Sequence, residues 1–329
     1  MSIRIVILGD GISGQLFLNY LKYHTELDYS CIILDKREKA IVDSIDDVPF
    51  YFNNVIEDFR RLFVPIKINM GIYDRGKINY QGTDYFAYKY SMKILGHYSN
   101  NTVRFIKREK QAYIIRSSDG VLGRKMTLFS ELHKRNSDNQ YFFNSEVIKI
   151  DVNNKILYTV NKTIAYDLLV STIPLNVLNK ITNQCPWANA SLNTYPFYIN
   201  RLQVKADNKY KVLYCTDNSI RFSRMAKLND TIFLESRERI DLKSVTLKEQ
   251  KFINYFLNPE YMLNGKSYMS YPGRFEQLDD DLYNKIEKEY RKSGVFLLGR
   301  MATWQFKLVE NIYDDCREIC EWIKLLECI

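Results

Sequence analysis

The 329-residue sequence has no apolar run approaching the ~20 residues that cross a bilayer, so a membrane-spanning chain is not expected. A secretory leader is not expected either, because the short apolar stretch at the start reads as the first strand of the fold. Six cysteines, at positions 31, 185, 215, 316, 320 and 328, include no C-x-x-C pair. Cys316 and Cys320 are four apart on an expected helix, but no His or Cys elsewhere completes a zinc set, and no metal site is expected. All six read as reduced thiols, which places the chain in the cytoplasm. Only three histidines occur, His24, His97 and His133, and they form no visible acid–base pair. His24 and His133 read as surface residues. No Ser-His-Asp arrangement is present. The net charge is +8, yet the lysines are dispersed and no basic run stands out. A nucleic-acid partner is therefore an alternative reading of that charge, not the expected one. Repeats and low-complexity segments are absent. At 46% hydrophobic and 26% charged, the composition is that of a soluble globular protein with one large or two ordinary domains. Nothing in the chain indicates its oligomeric state.

What the sequence does contain is concentrated in residues 3–36, IRIVILGDGISGQLFLNYLKYHTELDYSCIILDK. Ile3 to Leu8 is a short β-branched apolar run and predicts a buried parallel strand. Gly9, Gly11 and Gly14 follow in G-x-G-x-x-G spacing, then a helical pattern with Leu16, Phe17, Tyr20 and Leu21 on one face. A second apolar run, Cys31 to Leu34, ends in Asp35. In a dinucleotide site each part has a mechanical task. Gly9 permits the tight turn, Gly11 lets a pyrophosphate approach the backbone, and Gly14 lets helix and strand pack closely. The helix N-terminus offers free N–H groups to phosphate, and a carboxylate at 35 accepts ribose hydroxyls. An acid at 35 disfavours a 2′-phosphate, which leaves FAD or NAD.

Further along, KREKAIVDSIDDV after Asp35 reads as a loop. VPFYFNNVIEDFRRLF runs into a short helix, and VPIKINMGIYDRGKINYQG predicts a β-hairpin turning at Asp74-Arg75-Gly76. YFAYKYSMKILGHYS predicts a helix with Tyr85, Tyr88, Met92 and Leu95 near one face. QAYIIRSS is an expected strand and Lys125 to Arg135 an expected helix. Strands are expected at Asn144 to Ile150 and Lys155 to Val160, joined through a turn at Asp151 to Asn154. YDLLVSTIP, closing at Pro174, has the pattern of a buried strand ending at a ligand crevice. FYINRLQVKA, YKVLYCT and TIFLESRE are further strands, with a helix near SVTLKEQKFINYFL. GVFLLGR is a last buried strand. MATWQFKLVE is then a loop, before a terminal helix from about Asn311 to Leu326.

Three separated stretches share one resemblance: G-D-G-I-S-G at the start, EVIKI followed by LLVSTIPL, and Y-P-G-R-F ahead of F-L-L-G-R-M-A-T-W-Q-F with N-I-Y-D opening the last helix. The set resembles the UDP-galactopyranose mutase and FAD-dependent amine-oxidase superfamily. The resemblance implies that FAD is the cofactor. Gly9, Gly11, Ile12, Ser13 and Gly14 would hold its pyrophosphate, and Asp35, with Lys36 beside it, the adenosine ribose. Val147 would meet adenine through its backbone. Thr172 and Pro174 would line the crevice. Gly299 and Arg300 would lie beside the ribityl phosphate, and the turn at Ile312 and Tyr313 would give backbone N–H groups to the far end of FAD. Arg224, with Arg221 second, matches the arginine that faces substrate in the mutases. Tyr271 and Trp304 are candidates to lie near the isoalloxazine, and Lys93 near its N5 through a water. The pattern departs from the family after Asp35, where a Gly-Gly segment is replaced by KREKAIVDSIDD. It departs again at Pro49-Phe50-Tyr51-Phe52, where the mutases carry a His-rich turn.

The expected architecture is an α/β fold, a Rossmann-type FAD-binding domain interrupted by a mixed α+β substrate domain. The FAD segments would be 1–40, 125–185 and 291–329, and the cap segments 41–124 and 186–290. The expected function is that of a FAD-dependent oxidoreductase acting on a small polar, anionic or nucleotide-linked substrate. One alternative is an isomerase using reduced FAD on a nucleotide sugar. Another is a flavoprotein in a nucleic-acid base-modification pathway.

Overall fold

The structure is a computed structural model. It describes residues 2–38, 51–98, 106, 108–116, 125–204, 210–228, 231–255 and 265–327. Its first half-sheet is set by the opening residues. The strand β1 (Ile3–Leu8) runs into the helix α1 (Ile12–His24) and returns as β2 (Tyr29–Leu34). β1 is buried on both sides, which is why its run is continuously apolar rather than alternating. Ile5 and Ile7 face one core with Leu16, Phe17 and Leu21 of α1. Val6 and Leu8 face the other.

The remaining strands of this sheet come from distant sequence. β1 and β2 pair in parallel, β1 also pairs with a later strand at Leu168–Ser171, and that strand pairs with one at Val295–Leu297. A short strand at Gln140–Phe142 extends the other edge beside β2. In chain order the elements between β2 and these strands are β3 (Phe63–Asp74), β4 (Lys77–Asn79), α2 (Asp84–Leu95), β5 (Glu109–Ile115) and α3 (Lys125–Arg135). They are followed by β6 (Gln140–Phe142), β7 (Val147–Asp151), β8 (Ile156–Thr159), β9 (Thr163–Ala165), β10 (Leu168–Ser171) and α4 (Leu175–Thr182). The rest are β11 (Thr194–Gln203), β12 (Tyr210–Cys215), β13 (Phe222–Leu228), β14 (Thr231–Ser236), α5 (Leu247–Asn254), β15 (Gly265–Phe275), α6 (Asp280–Lys292), β16 (Val295–Leu297), α7 (Arg300–Thr303) and α8 (Val309–Glu327). The parallel sheet then reads β16-β10-β1-β2-β6, and β7-β8-β9 form a small antiparallel sheet. α8 packs beside α1, burying Ile312, Cys316, Ile319 and Ile323. On the opposite face α4 and α6 supply Leu175, Leu178, Ile286 and Tyr290.

The second large sheet has the order β15-β11-β14-β13-β12-β3-β4, with β5 added on β3. It is antiparallel except where β12 lies parallel to β3. The hairpin β3–β4 turns where expected, with Arg75 and Gly76 both at positive φ. α2 begins at Thr83, whose hydroxyl accepts from the Phe86 amide, and stops at Gly96 in the left-handed conformation. Its buried face is Ala87, Tyr90, Ser91, Ile94 and Leu95. Tyr85, Tyr88 and Met92, expected beside Leu95 on a common face, are exposed. Of the expected set only Leu95 is buried, because the face turned inward is the one that carries Ala87, Tyr90, Ser91 and Ile94. Pro196 of β11 and Tyr271-Pro272 of β15 fall where the two strands slip register, so a proline on each strand sits at a bulge.

The outer elements also differ from expectation. Arg224, matched in sequence to a substrate-facing arginine, lies within the central strand β13. The terminal helix starts at Val309, two residues before the expected Asn311. α7 occupies part of the expected loop after Gly299. α6 was not anticipated, although Asp279 caps it through the Leu282 amide and Asp280, Asp281, Arg291 and Lys292 complement its dipole. No helix among the described residues is long and apolar enough to cross a membrane. The five described cysteines are free and buried.

Candidate functional site

The C-terminal ends of β1, β2, β10 and β16 deliver Gly9, Asp35, Thr172 and Gly299 to one rim of the parallel sheet. That rim is where open parallel sheets bind ligands. Gly9 sits at φ +98°, and a Cβ there would lie 2.5 Å from Thr172 Oγ1. Thr172 in turn donates from its hydroxyl to the Leu8 and Gly9 carbonyls, at 2.8 and 3.1 Å. A Cβ on Gly14 would meet the Gly9 carbonyl at 2.7 Å, so this glycine lets α1 close on β1. Gly299, at φ +88°, lies against Ser13: a Cβ would fall 2.2 Å from its Oγ and 2.8 Å from its Cβ.

Gly11 is different. Its backbone is extended, with φ −100° and ψ 178°, and any residue can adopt that conformation. Nothing lies within 4 Å of where its Cβ would be. It precedes α1, whose first turn carries no acid and no side-chain cap. The turn therefore presents open space in front of first-turn amides, the arrangement an anionic diphosphate requires.

Asp35 stands at the end of β2, beside this turn. Its Oδ2 accepts from the Asp10 amide at 2.7 Å and its Oδ1 from the Arg37 amide at 2.9 Å. The Arg37 guanidinium adds two more bonds, Nε to Oδ1 at 2.7 Å and Nη2 to Oδ2 at 2.5 Å. Burial pushes the carboxyl up, but the Arg37 and Asp10 hydrogen bonds outweigh it and hold Asp35 below the usual carboxylate range. Lys36 is exposed beside it. Val147, at the start of β7, is near this corner: the Ser145 amide donates to the Asp35 carbonyl at 2.9 Å.

The sequence missed what lies under the turn. Asp10, between the two glycines, is fully buried. Gln15 Nε2 donates to its Oδ1 at 2.7 Å, and His133 Nε2 lies 3.0 and 3.1 Å from its two oxygens. His133 is therefore not a surface residue. A polar residue wedged between the glycines was the available signal, but its partner is more than a hundred positions away.

At the start of α8 the Ile312 amide already donates to the Leu308 carbonyl at 3.1 Å. Because the helix opens at Val309, the amides without an intrahelical partner are those of residues 309–311, not Ile312 and Tyr313. Ile312 still borders the site, with its Cδ1 4.0 Å from the position of a Gly299 Cβ. The Tyr313 hydroxyl lies 3.2 Å from His24 Nε2, at the far end of α1. Glu310 accepts from the amides of Asn53 and Asn54, at 2.9 and 3.2 Å, and so ties the chain entering β3 to this helix start.

The remaining candidates are dispersed. Arg224, on β13, is paired with Glu235 at 2.8 Å and stands over the Tyr214 ring, 5.6 Å from its centroid. Its Nε is buried without a hydrogen-bond partner. Tyr51 joins this cluster through a hydrogen bond with Tyr214, and burial pushes its hydroxyl pKa up. Arg221 is held by Glu249. Lys93 donates to the Asp217 carbonyl at 2.7 Å and to Cys215 Sγ at 3.2 Å, and burial lowers its pKa. Trp304 is fully buried beside Phe275, with its indole N–H unbonded. Arg300 stands over the rings of Phe275 and Phe306, at 5.0 and 5.1 Å. Pro174 caps α4. Of Tyr271 only the backbone is described, and Pro49 and Phe50 lie outside the described residues, as does most of the segment after Asp35. A cavity of about 200 Å³ between α6, β16 and α8 is lined by charges that already serve each other, Lys307 with Asp315 and Arg291 with Glu287.

The Gly299 contact is directly testable. Gly299→Ala should destabilise the protein by roughly 2 kcal/mol, from positive-φ strain plus the push on Ser13, as read by a thermal or urea midpoint. An unchanged midpoint would mean that the Ser13 contact yields freely.

No protein-family model matches the chain, and no curated protein matches it in sequence. Solved structures do match in fold. Reduced UDP-galactopyranose mutase superposes with a TM-score of 0.74 at 12% identity, covering 99% of this chain and 94% of the other. A putative protoporphyrinogen oxidase from Exiguobacterium sp. 255-15 gives 0.69 at 12% identity, covering 99% of each chain. The fatty acid isomerase of P. acnes that produces CLA gives 0.61 at 10% identity, covering 96% and 97%. Over nearly its whole length the chain has the fold of these solved structures.

Proposed function

We propose that this protein binds FAD along the rim formed by β1, β2, β10 and β16 and acts as a flavin-dependent oxidoreductase on a small polar substrate. The observation that carries the reading is the pairing of open space at Gly11 with a buried carboxylate at Asp35, at the two strand ends where a dinucleotide's diphosphate and ribose belong. The residues fit the cofactor. Gly11 and the α1 amides would hold the diphosphate. Asp35, whose oxygens here each accept two hydrogen bonds from Asp10 and Arg37, would accept a ribose hydroxyl in exchange for one of the Arg37 guanidinium bonds. Gly299 would let the β16 end come close to Ser13. Bound FAD would supply the hydride acceptor; the chain's part is to hold it and exclude water.

The mutase-like reading rests on the overall superposition. The substrate side favours oxidation instead. Arg224, the arginine expected to clamp a sugar diphosphate, already spends its charge on Glu235. The test is an anaerobic titration of FAD-loaded protein with amines, amino acids and nucleotide sugars. Bleaching of the oxidised flavin absorbance by one substrate is the expected outcome. Turnover of UDP-galactose only after chemical pre-reduction, with no bleaching, would overturn the oxidoreductase reading in favour of the isomerase.

A further inference from the structure

A buried carboxylate under an anion-binding turn opposes the ligand the turn exists to hold. Asp10 is such a carboxylate. It has no solvent exposure, and its backbone is part of the glycine turn itself: its amide donates to Asp35 Oδ2, and its carbonyl accepts from Arg37 Nη2 at 2.7 Å. Its side chain points beneath the turn rather than into the open space at Gly11, where it accepts from Gln15 in the first helical turn and meets His133 from α3.

The groups that face this pair come from every neighbouring element. From α1, Gln15 Nε2 also lies 3.1 Å from the Tyr141 hydroxyl. From β6, Tyr141 stacks on the His133 ring at 5.4 Å and donates to the Asn136 carbonyl at 3.1 Å. On α3 and just after it, Phe129 lies 4.8 Å from His133, and Asn136 Nδ2 donates to Gln15 Oε1 at 2.9 Å. From the loop after β2 come Asp35 and Arg37. Of the Asp10 carboxylate's two side-chain partners, Gln15 is held in place by Tyr141 and Asn136, and His133 is the one that α3 contributes from outside the β1–α1–β2 unit.

We propose that His133 is a positioning residue for the cofactor's diphosphate, acting through Asp10; the inference rests on the reading of this rim as an FAD site. The imidazole N–H on the Asp10 carboxylate offsets its charge beneath the diphosphate and fixes the side chain in the turned-under orientation that leaves the space at Gly11 open. Without it, the carboxylate would lack its α3 donor and either stay beneath the diphosphate poorly compensated or swing toward it. Both weaken binding, and both depend on Asp10 being an acid.

A double-mutant cycle on FAD affinity tests this, read by quenching of flavin fluorescence on the cofactor-free protein with far-UV circular dichroism as the check on folding. His133→Phe should raise the Kd for FAD at least about tenfold, whereas Asp10→Asn/His133→Phe should bind within about threefold of Asp10→Asn alone. A merely structural histidine would give the same penalty in both backgrounds, and that result overturns the proposal. An H133F protein that binds FAD as the unmodified protein does also overturns it. Should H133F not fold, His133→Leu, which likewise carries no donor, runs the same cycle under the same criterion. If the unmodified protein takes up no FAD, the cofactor reading fails and this inference with it. If it takes up FAD and the cycle shows no coupling, the inference alone fails.

Discussion

Gly11→Val should weaken FAD binding at least about 100-fold, some 2.7 kcal/mol, while leaving the stability of the cofactor-free protein within about 1 kcal/mol. The separation of the two effects follows from the geometry. At Gly9 and Gly299 a side chain would meet strained backbone or a neighbour, so substitution there disturbs the fold as well as the site. At Gly11 the backbone is extended and an added Cβ would meet no protein atom within 4 Å. Beyond a valine's modest penalty at the N-cap of α1, its cost falls on whatever approaches the α1 N-terminus. Isothermal titration with FAD, alongside a urea denaturation curve without it, reads both quantities. A G11V protein that binds FAD normally would remove the turn from the cofactor site.

The second large effect lies in the other sheet. Glu249→Ala should cost about 3–4 kcal/mol of stability. Glu249 is fully buried, and its Oε1 accepts from the Arg221 amide at 3.1 Å and Nε at 2.7 Å. Its Oε2 accepts from Arg221 Nη2 and the Thr246 amide, both at 2.8 Å, and the Thr246 hydroxyl accepts from the Glu249 amide, completing the capping box of α5. Removing the acid strands the guanidinium and uncaps the helix together. The same contacts make the contribution pH-dependent. Burial alone would raise the Glu249 pKa, but Arg221 and the Thr246 amide overcome it and bring the carboxyl down to about 2. The folded value lies below the unfolded one. The stabilisation, on the order of 3 kcal/mol, is therefore complete above the ordinary glutamate range and disappears as pH falls toward 2. The gap between the urea midpoints of the E249A and unmodified proteins should narrow from neutral pH to about pH 3, where part of the stabilisation remains. A constant gap between them would contradict the pairing.

Arg221 illustrates why function was harder to read than fold. From sequence, Asn218-Ser-Ile-Arg-Phe-Ser-Arg-Met offered two arginines near an aromatic turn. In the structure both are consumed by carboxylates, Arg221 by Glu249 and Arg224 by Glu235, whose positions in sequence carry no sign of the pairing. By contrast, residues 3–36 were legible almost element by element. Strand, turn, helix and strand there are local, and Gly14 answers to a steric need against the Gly9 carbonyl within the same turn. The ends of β10 and β16 were legible for a related reason: a buried strand followed by Ser-Thr-x-Pro or by Gly-Arg must stop at the sheet rim. The face of α2 is not legible in the same way, because three of its four aromatic residues, Tyr85, Phe86 and Tyr88, are not among its buried ones. Asp10 and His133 could not be paired from sequence at all, since what joins them is the docking of α3 against α1. The same holds for Lys93, which turns toward Cys215 and the Asp217 carbonyl.

The most direct test of the central claim is the identity of the cofactor carried by the purified protein. The protein should be yellow, with flavin absorbance bands, and on denaturation should release FAD rather than FMN in a ratio close to one per chain. A colourless protein that remains colourless after incubation with excess FAD would contradict the account.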